Sequence, residues 1–255
     1  MALEDDLRAR YLDLMRDSLT GLLREDPSLD QHSGGGLREF DRAQRTEGKD
    51  WPSRALSMIG ARRMLQLQRA AEFVIERGVP GDFVETGVWR GGACILMRAV
   101  LAAYGVPDRI VWVADSFRGL PEPDAIQYPK DAGNMLHVFD QLAVSAEAVR
   151  ANFERYGLLD GQVRFLEGWF RDTLPSAPIV RLAILRLDGD LYESTMDALN
   201  ALYDKVSPGG IVIIDDYGIL ESCRAAVTDF RRDRGVTEAI YRIDDSGVHW
   251  QRAPA

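Results

Sequence analysis

The sequence predicts an α/β fold in which helices cover both faces of a mostly parallel β-sheet. From residue 82 onward, short apolar runs alternate with helical stretches, as in repeated βα units. The run Ile-Val-Ile-Ile at residues 211–214 is apolar at every position, as expected of a strand with helices on both sides. Two final apolar runs joined by Asp-Asp-Ser at residues 244–246 predict an antiparallel hairpin. We see no internal repeat and expect one domain over residues 1–255.

The individual elements follow from this alternation. The predicted strands are residues 82–85, 110–115, 163–167, 182–188 and 210–215, followed by hairpin strands at 239–243 and 247–250. The predicted helices are residues 93–104, 146–156, 194–206 and 221–234. Because the strands are joined by helices, we expect their carboxyl ends to lie at one edge of the sheet, where ligands bind in such folds.

Two segments lie outside this alternation. Residues 1–78 are predicted to form a helical cover, with helices at 7–23 and 60–76 separated by a polar loop at 26–50. Residues 119–145 form a long connection that contains three prolines. Connections of this length are often lids over a ligand site, and an ordinary surface excursion is the alternative.

The charge balance excludes some classes of protein. Asp and Glu total 40 against 31 Lys and Arg, a net charge of -9, so the basic face of a nucleic-acid binder is not expected. The two cysteines, Cys94 and Cys223, form no close pair, which favours a reducing compartment. The acidic first residues lack an apolar signal region, and no run approaches the length of a membrane span. We therefore expect a soluble cytoplasmic protein that does not bind membranes.

The end of the first strand predicts a ligand-binding turn. Glu85, Thr86 and Gly87 are followed by Gly91, so the segment reads Glu-x-Gly-x-x-x-Gly and not the Gly-x-Gly-x-x-Gly of dinucleotide sites. Glycines here let the backbone turn tightly and approach a ligand, with a helix amino terminus behind it. A plain tight connection between strand and helix is the alternative.

The next two strand ends favour a nucleoside. Asp115 ends the second strand beside Ser116, where a carboxylate can accept hydrogen bonds from both ribose hydroxyls. Nicotinamide-dependent enzymes use the same contact, so Asp115 does not identify the nucleoside. Trp169 and Phe170 follow the third strand, and their rings either flank an adenine or pack in the core.

Acidic pairs end the fourth and fifth strands. If these strands are neighbours, Asp188, Asp215 and Asp216 converge at one edge of the sheet. Such carboxylates repel one another unless a cation holds them, and Mg²⁺ prefers oxygen ligands of this kind. Asp190 can face the same cavity without binding the ion. Capping of a helix or turn by the Asp215-Asp216 pair is the alternative.

These motifs together resemble the macrocin O-methyltransferase family, whose members methylate deoxysugars of antibiotics. The resemblance spans nearly the whole chain and rests on the motifs at residues 11–14, 57–60, 85–92, 113–117, 168–170, 187–190 and 214–217. It implies a class I methyltransferase fold, Rossmann-like, with S-adenosylmethionine as methyl donor and Mg²⁺ as metal. It also implies that the acceptor is a sugar hydroxyl of a glycosylated natural product.

The resemblance also implies roles for individual residues. The residues implied to bind the donor are Met58, Ile59, Glu85, Thr86 and Gly87 at its methionine part, Asp115 and Ser116 at the ribose, and Trp169 and Phe170 at the adenine. The implied metal ligands are Asp188, Asp215 and Asp216, and the implied general base is Asp190. The segment at 119–145 corresponds to one that differs among members and closes over the substrate.

Other functions remain open on the sequence alone. A nicotinamide-dependent oxidoreductase is the main alternative, since the same fold and Asp115 would serve it, although the first glycine turn and the acidic set argue against it. A non-catalytic interaction protein that kept the fold is the second alternative. The amphipathic N-terminal helix also predicts self-association into a homo-oligomer.

Overall fold

A seven-stranded sheet carries the fold in the computed structural model, which describes residues 2–30 and 36–253. The strands are β1 (Ser28–Leu29), β2 (Leu37–Arg38), β3 (Asp82–Thr86), β4 (Val111–Asp115), β5 (Val163–Glu167), β6 (Leu182–Leu187), β7 (Val206–Ile214), β8 (Tyr241–Arg242) and β9 (Val248–Gln251). The helices are α1 (Ala2–Leu19), α2 (Arg42–Glu47), α3 (Gly60–Glu76), α4 (Gly92–Ala103), α5 (Ala146–Arg155), α6 (Phe170–Thr173), α7 (Tyr192–Leu202) and α8 (Glu221–Asp233).

The strand order of the large sheet is β5-β4-β3-β6-β7-β9-β8. The first five strands in this order pair in parallel, whereas β9 pairs antiparallel with both β7 and β8. The sheet reverses its direction of growth between β3 and β6, and ligands of doubly wound sheets bind at such a switch point. The predicted mixed sheet with a C-terminal hairpin is therefore confirmed.

Apolar cores lie on both faces of the sheet. Side chains alternate along β3, so Phe83 packs in the core formed with α1, α3 and α4, whereas Val84 packs in the core formed with α7 and α8. Strand β6 is buried at all six positions, as a central parallel strand must be. Its one charged residue, Arg186, therefore has to find its partners inside the protein.

Several predicted bounds shift by a few residues. Helix α1 begins at residue 2 instead of 7 and ends at Leu19, because Gly21 takes a left-handed conformation at φ 75°. Strand β7 begins four residues earlier than predicted, at Val206, because Pro208 and Gly209 hide the start of the strand in the sequence. The first hairpin strand shortens to Tyr241–Arg242.

The described part of the polar stretch at residues 26–50 contains a short helix and a strand pair, where the sequence predicted a loop. Within its described part, Asp41 caps the short helix α2 by accepting hydrogen bonds from the backbone of Ala43 and Gln44, and β1 pairs with β2. Residues 31–35 of this stretch lie outside the described residues. Helices α1 and α3 both pack against α4, which is the position expected of a cover.

A helix that crosses a membrane must be long and apolar, so the helices of the structure test for a membrane span. Across residues 2–30 and 36–253, no helix combines the length and the apolar character that crossing a bilayer requires.

Candidate active site

A cavity of about 260 Å³ opens at the carboxyl ends of the parallel strands. The residues predicted from the sequence that line it are Met58, Ile59, Gly87, Asp115, Ser116, Trp169, Phe170, Asp188, Asp190, Asp215 and Asp216. The fold therefore brings residues from five strand ends and from the N-terminal cover to one place. Glu85 and Thr86 are not among the lining residues.

The glycine turn after β3 lies directly against β6. Gly87 adopts φ 87°, and a Cβ atom there would meet the carbonyl oxygen of Asp188 at 1.8 Å. The backbone of Asp188 in turn donates to the carbonyl of Thr86 at 2.9 Å. Only glycine fits this position, because both the backbone conformation and the close approach exclude a side chain. The turn and the carboxylates after β6 thus share one wall of the cavity.

Glu85 and Thr86 lie behind that wall. Glu85 is 2% exposed, pairs with Arg186, and accepts a hydrogen bond from the Cys94 thiol at 2.9 Å. Burial raises the pKa of the Glu85 carboxyl to about 7, and Arg186 opposes that rise. Thr86 is fully buried. In this structure both residues support the lining from behind, so the direct donor contact implied for them does not follow from their placement.

Asp115 is fixed by the backbone around it. Its carboxylate accepts from the backbone of Val88 at 2.7 Å on one oxygen and of Phe117 at 2.8 Å on the other. The backbone of Trp89 and the Ser116 hydroxyl, 3.4 Å from Oδ1, also lie within reach of this carboxylate, so it offers the cavity only the lone pairs that these donors leave. The adjacent Ser116 hydroxyl donates to the carbonyl of Gly119 at 2.7 Å. Desolvation raises the pKa of Asp115.

The two aromatic residues after β5 differ in how far they belong to the cavity and to the core. Trp169 precedes α6 and lines the cavity, half-buried. Phe170 lines the cavity too, but its ring also packs against the second core, and a Cβ atom on Gly189 would approach it at 3.2 Å. Both readings of the sequence therefore apply to Phe170, as part of the core and as part of the cavity.

The acidic pairs converge as predicted. Strands β6 and β7 are neighbours with Leu187 opposite Ile214, so the residues that follow them meet. Asp188, Asp215 and Asp216 each place one carboxylate oxygen within 4.8 Å of the others. We call these three residues together with Asp190 the rim cluster.

Arg186 holds the rim cluster from inside the sheet. Its side chain is 1% exposed and forms ion pairs with Glu85, with Asp215, and with Asp188 at 2.9 Å. The expectation that the close carboxylates need a cation is met in part by this guanidinium. The sequence interpretation overlooked it, although an arginine inside the apolar run Leu-Ala-Ile-Leu-Arg-Leu was a signal that acidic partners lie nearby.

Arg63 holds the rim cluster from the other side. It comes from α3, is 7% exposed, lines the cavity, and pairs with the second oxygen of Asp215. It also pairs with Asp244 at 3.1 Å and donates to the carbonyl of Gly48 at 3.3 Å. Nothing in the helical spacing marked this arginine, since its partners are far away in the sequence.

Acidic charge still exceeds basic charge in this region. The acidic groups are Glu85, Asp188, Asp190, Asp215, Asp216 and Asp244, and the guanidinium groups among them are Arg63 and Arg186. Asp216 is 5% exposed, and its Oδ2 atom finds no hydrogen-bond partner among the described residues. Burial, and then the charge of Asp190 and its neighbours, raise the pKa of Asp216 well above its usual range. An all-oxygen set with an unpaired buried carboxylate fits a hard divalent cation.

Asp190 sits on a strained turn. Its φ of 61° is unusual for a residue with a side chain, and the backbone of Leu191 donates across it to the carbonyl of Gly189 at 2.6 Å. The Ser222 hydroxyl on α8 donates to the Asp190 carbonyl at 3.0 Å and helps to fix the turn. Burial, and then Asp188 and Asp215, raise the pKa of Asp190 well above its usual range. A strained, half-buried carboxylate beside a cavity is typical of a proton acceptor.

The connection at residues 119–145 lies over one side of the cavity. Leu136 and Leu142 line it, and the indole of Trp89 donates to the carbonyl of Gln141 at 2.9 Å. The fully buried Asp131 accepts from the first backbone amides of α7 at 2.6 and 3.0 Å, so it caps that helix from a distant segment. The segment is thus fastened at two points.

Comparison with known proteins relates this chain to methyltransferases. The sequence model described as Macrocin-O-methyltransferase (TylF) matches residues 8–252. A relative from Streptomyces olivaceus, 8-demethyl-8-(2,3-dimethoxy-alpha-L-rhamnosyl)-tetracenomycin-C 4'-O-methyltransferase, is 54% identical over 252 residues, which cover 98% of this chain and 95% of the relative.

Two further matches agree with the first. Demethyldecarbamoylnovobiocin O-methyltransferase of Streptomyces niveus is 52% identical over 243 residues, covering 95% of this chain and 93% of the relative. The solved structure of the O-methyltransferase NovP superposes with a TM-score of 0.92 at 51% identity, covering 96% of this chain and 99% of that one.

Proposed function

The chain belongs to the TylF macrocin-O-methyltransferase family and is an O-methyltransferase, and on that premise we propose that it transfers a methyl group from S-adenosylmethionine to a sugar hydroxyl of a glycosylated natural product with the help of Mg²⁺. Family membership does not support a nicotinamide-dependent oxidoreductase or a non-catalytic protein. The observation that carries the proposal is the rim cluster, which faces the same cavity as the glycine turn and Asp115.

The donor half of the cavity suits a nucleoside with a cationic tail. The Asp115 carboxylate lines the cavity as an acceptor for the ribose hydroxyls, and Trp169 lines the same cavity with a flat ring for the adenine. Gly87 brings bare backbone to the cavity wall, and Met58 and Ile59 cover it from the N-terminal side. Glu85 and Thr86 then act from behind this wall, by fixing the turn that the donor contacts.

The rim cluster supplies the ligands for Mg²⁺. Asp188, Asp215 and Asp216 would hold it, since their oxygens lie within 4.8 Å of one another and Asp216 has an unpaired oxygen. A bound divalent ion orients neighbouring hydroxyl oxygens and lowers the pKa of the hydroxyl that it contacts. Side chains of the protein itself bind the donor and take up the hydroxyl proton.

Asp190 is the proposed general base. It lines the cavity two residues beyond Asp188, and its raised pKa makes its carboxylate a stronger proton acceptor than an ordinary aspartate. Loss of the hydroxyl proton to its carboxylate leaves an oxygen nucleophile, which attacks the methyl carbon of the donor. The O–C bond forms as the C–S bond breaks, and S-adenosylhomocysteine leaves as a neutral thioether. Ser222 and the strained turn hold the carboxylate in place for that transfer.

The apolar part of the cavity lining favours an apolar glycoside. The apolar and aromatic side chains that line the cavity besides those assigned to the donor are Trp51, Trp89, Leu120, Pro121, Leu136, Leu142, Ile219 and Leu220. Sugars stack on aromatic rings through their apolar faces, and an aglycone can fill the remaining apolar surface. The Streptomyces olivaceus relative is named for a rhamnosyl substrate, which supports a deoxysugar glycoside for this chain. Closure of residues 119–145 over that substrate is part of the proposal.

The test is methyl transfer to a panel of rhamnosylated polyketides, measured with and without EDTA. We expect turnover with Mg²⁺, none after chelation, and recovery when Mg²⁺ is restored. Asp190→Asn should lower kcat by about 10²–10⁴-fold, the usual contribution of a general base. The variant should still bind S-adenosylhomocysteine with unchanged affinity. It should also still bind Mn²⁺, with only the modest loss of affinity that follows from removing one neighbouring negative charge, because Asp190 is not among the proposed ligands.

Ser194→Ala, which changes another cavity-lining residue on α7, is the matched control and should keep most of the activity. Near-normal kcat in Asp190→Asn would remove Asp190 from its role. Full activity in EDTA would disprove the metal. Transfer to a non-glycosylated phenol in preference to every glycoside would disprove the acceptor class.

A further inference from the structure

Arg63 reaches the rim cluster from outside the sheet. It lies on α3, in the N-terminal cover, and its side chain crosses to the residues that follow β7. It lines the cavity and is 7% exposed, whereas Arg186 is 1% exposed and enclosed among Glu85, Asp188 and Asp215. The two arginines therefore differ in their freedom to move.

Asp215 is fully engaged by these arginines. One of its oxygens contacts Arg186 and the other contacts Arg63, while its backbone carbonyl accepts from the Ser246 hydroxyl at 2.6 Å. Each oxygen still has a lone pair for a divalent ion, but an ion bound there would lie beside two guanidinium groups on the same carboxylate. Repulsion between the ion and these positive charges favours release of one guanidinium.

Arg63 is the partner that can be released. Asp244 lies 3.1 Å from its Nε atom and the Gly48 carbonyl 3.3 Å from Nη2, so it stays paired after losing Asp215. Asp244 is itself held in position by hydrogen bonds from the backbone of Ser246 and Gly247 at 2.9 and 2.7 Å. Arg186 has no comparable second position, because its partners all belong to the same buried group.

We propose that Arg63 stands in for the divalent cation in the metal-free protein and gives up Asp215 when the ion binds. This inference rests on the metal of the proposed function. Arg63 neutralises part of the acidic cluster in the metal-free protein. With the ion bound, repulsion between the two positive charges would favour the position of the guanidinium beside Asp244. Arg63 is thus a positioning residue that opposes metal binding and keeps the metal-free cluster assembled.

The dissociation constant for Mn²⁺ tests this directly. Isothermal titration of the full chain, after removal of metals by chelation, is compared between the unsubstituted protein, Arg63→Gln and Arg62→Gln. Arg62 is the matched control, because it lies on the same helix, carries the same charge, and pairs with Glu47 at the surface. We expect Arg63→Gln to bind Mn²⁺ about tenfold more tightly, as one positive charge is removed beside the ion. Arg62→Gln should be unchanged.

Thermal stability gives a second readout. Without metal, Arg63→Gln should melt below the unsubstituted protein, and Mn²⁺ should raise its Tm by more than it raises that of the unsubstituted protein. If Arg63→Gln does not fold, Arg63→Lys replaces it in the titration, since lysine keeps the charge but cannot pair with Asp215 and Asp244 at once. Lysine should also tighten Mn²⁺ binding, by less than glutamine.

Equal or weaker Mn²⁺ binding by the Arg63 variants overturns the inference, and weaker binding would mean that Arg63 orients Asp215 for the ion. In that case the metal of the proposed function stands, because the unsubstituted chain binds Mn²⁺. Failure of the unsubstituted chain to bind Mn²⁺ at all would overturn the metal assignment and this inference together.

Discussion

Two buried networks of arginine and aspartate in this protein differ in how completely they are paired. The first surrounds Arg45 in the N-terminal cover, and the second is the rim cluster with Arg63 and Arg186. Both bury guanidinium groups at 7% exposure or less. Burial of charge alone therefore does not separate a structural network from a functional one.

The Arg45 network is saturated. Arg45 is fully buried and donates to the Asp50 carboxylate at 2.7–2.9 Å and to the carbonyls of Thr20 and Asp26 at 2.9 and 2.8 Å. The Asp26 carboxylate accepts from the Ser53 hydroxyl and from two backbone amides at 2.7–2.8 Å. Arg45, Asp26 and Asp50 each have partners within the described residues, so this network presents no unpaired charge to a ligand.

The rim cluster is unsaturated. Its carboxylates outnumber the guanidinium groups near them, the Oδ2 atom of Asp216 is buried without a partner among the described residues, and Asp190 sits on a strained turn. Unpaired buried acids lower the stability of a fold unless something else binds them. Comparison of the two networks therefore indicates that a buried acid without a partner, more than buried charge itself, distinguishes the proposed site.

The largest effect that this comparison predicts is on folding. Arg45→Met leaves two buried carboxylates without their cation, and we expect it to lower the free energy of unfolding by about 3–5 kcal/mol. Mn²⁺ binding by the folded fraction should be unchanged. Urea unfolding followed by circular dichroism measures the change.

Arg38→Met is the control for Arg45→Met, because Arg38 is 59% exposed and pairs with Asp30 at the surface. Its effect should stay within about 0.5 kcal/mol. Equal unfolding free energies for the two variants would show that the Arg45 network does not stabilise the fold.

The next effect is on catalysis. Asp216→Asn removes a proposed ligand and an unpaired charge together, and we expect kcat/KM to fall at least about 100-fold, the upper end for loss of a group that only orients a ligand. Its metal-free Tm should equal or exceed that of the unsubstituted protein, because less acidic charge is buried. Methyl-transfer rates and melting in EDTA measure both. A large loss of Tm would place Asp216 with the structural network.

The smallest effect is a dependence of stability on pH. Burial raises the pKa of Glu85 from 4.5 to about 7 and raises the pKa of Asp216 as well. A carboxyl with a raised folded-state pKa contributes stability below its unfolded pKa, and this contribution is lost as pH rises through the folded value. In EDTA, the Tm advantage of Asp216→Asn over the unsubstituted protein should therefore grow as pH rises above the usual pKa range of an aspartate. An advantage that shrinks as pH rises would contradict the raised pKa of Asp216.

The sequence predicted the parts of the site that follow strand ends. Asp115, Asp188 and Asp215 were recognisable because a buried apolar run ends just before each of them and parallel strands end at one edge. The resemblance to the family, now confirmed, added the proposed base role of Asp190 and the proposed donor contacts of Met58 and Ile59, which stay predictions. The lid, the metal and self-association through α1 stay predictions.

The rest depended on contacts between distant segments. Arg63 meets Asp215 across 152 positions, and Asp131 caps α7 across 61, so no local spacing reveals either. The short helix α2 escaped prediction because five of its six residues are polar and give no apolar periodicity, although Asp41 is a recognisable cap. Glu85 belongs to the donor-site motif, yet it lies opposite Arg186 on the neighbouring strand and its side chain pairs with that residue.

Crystals grown with Mn²⁺ and S-adenosylhomocysteine test the central claim most directly, through the anomalous signal of the metal. We predict one peak within coordination distance of Asp188, Asp215 and Asp216, beside the sulfur of the bound nucleoside. The absence of a peak there, with Arg63 and Arg186 still holding Asp215 in the presence of Mn²⁺, would contradict the claim that the unpaired acids of the rim cluster form a metal site.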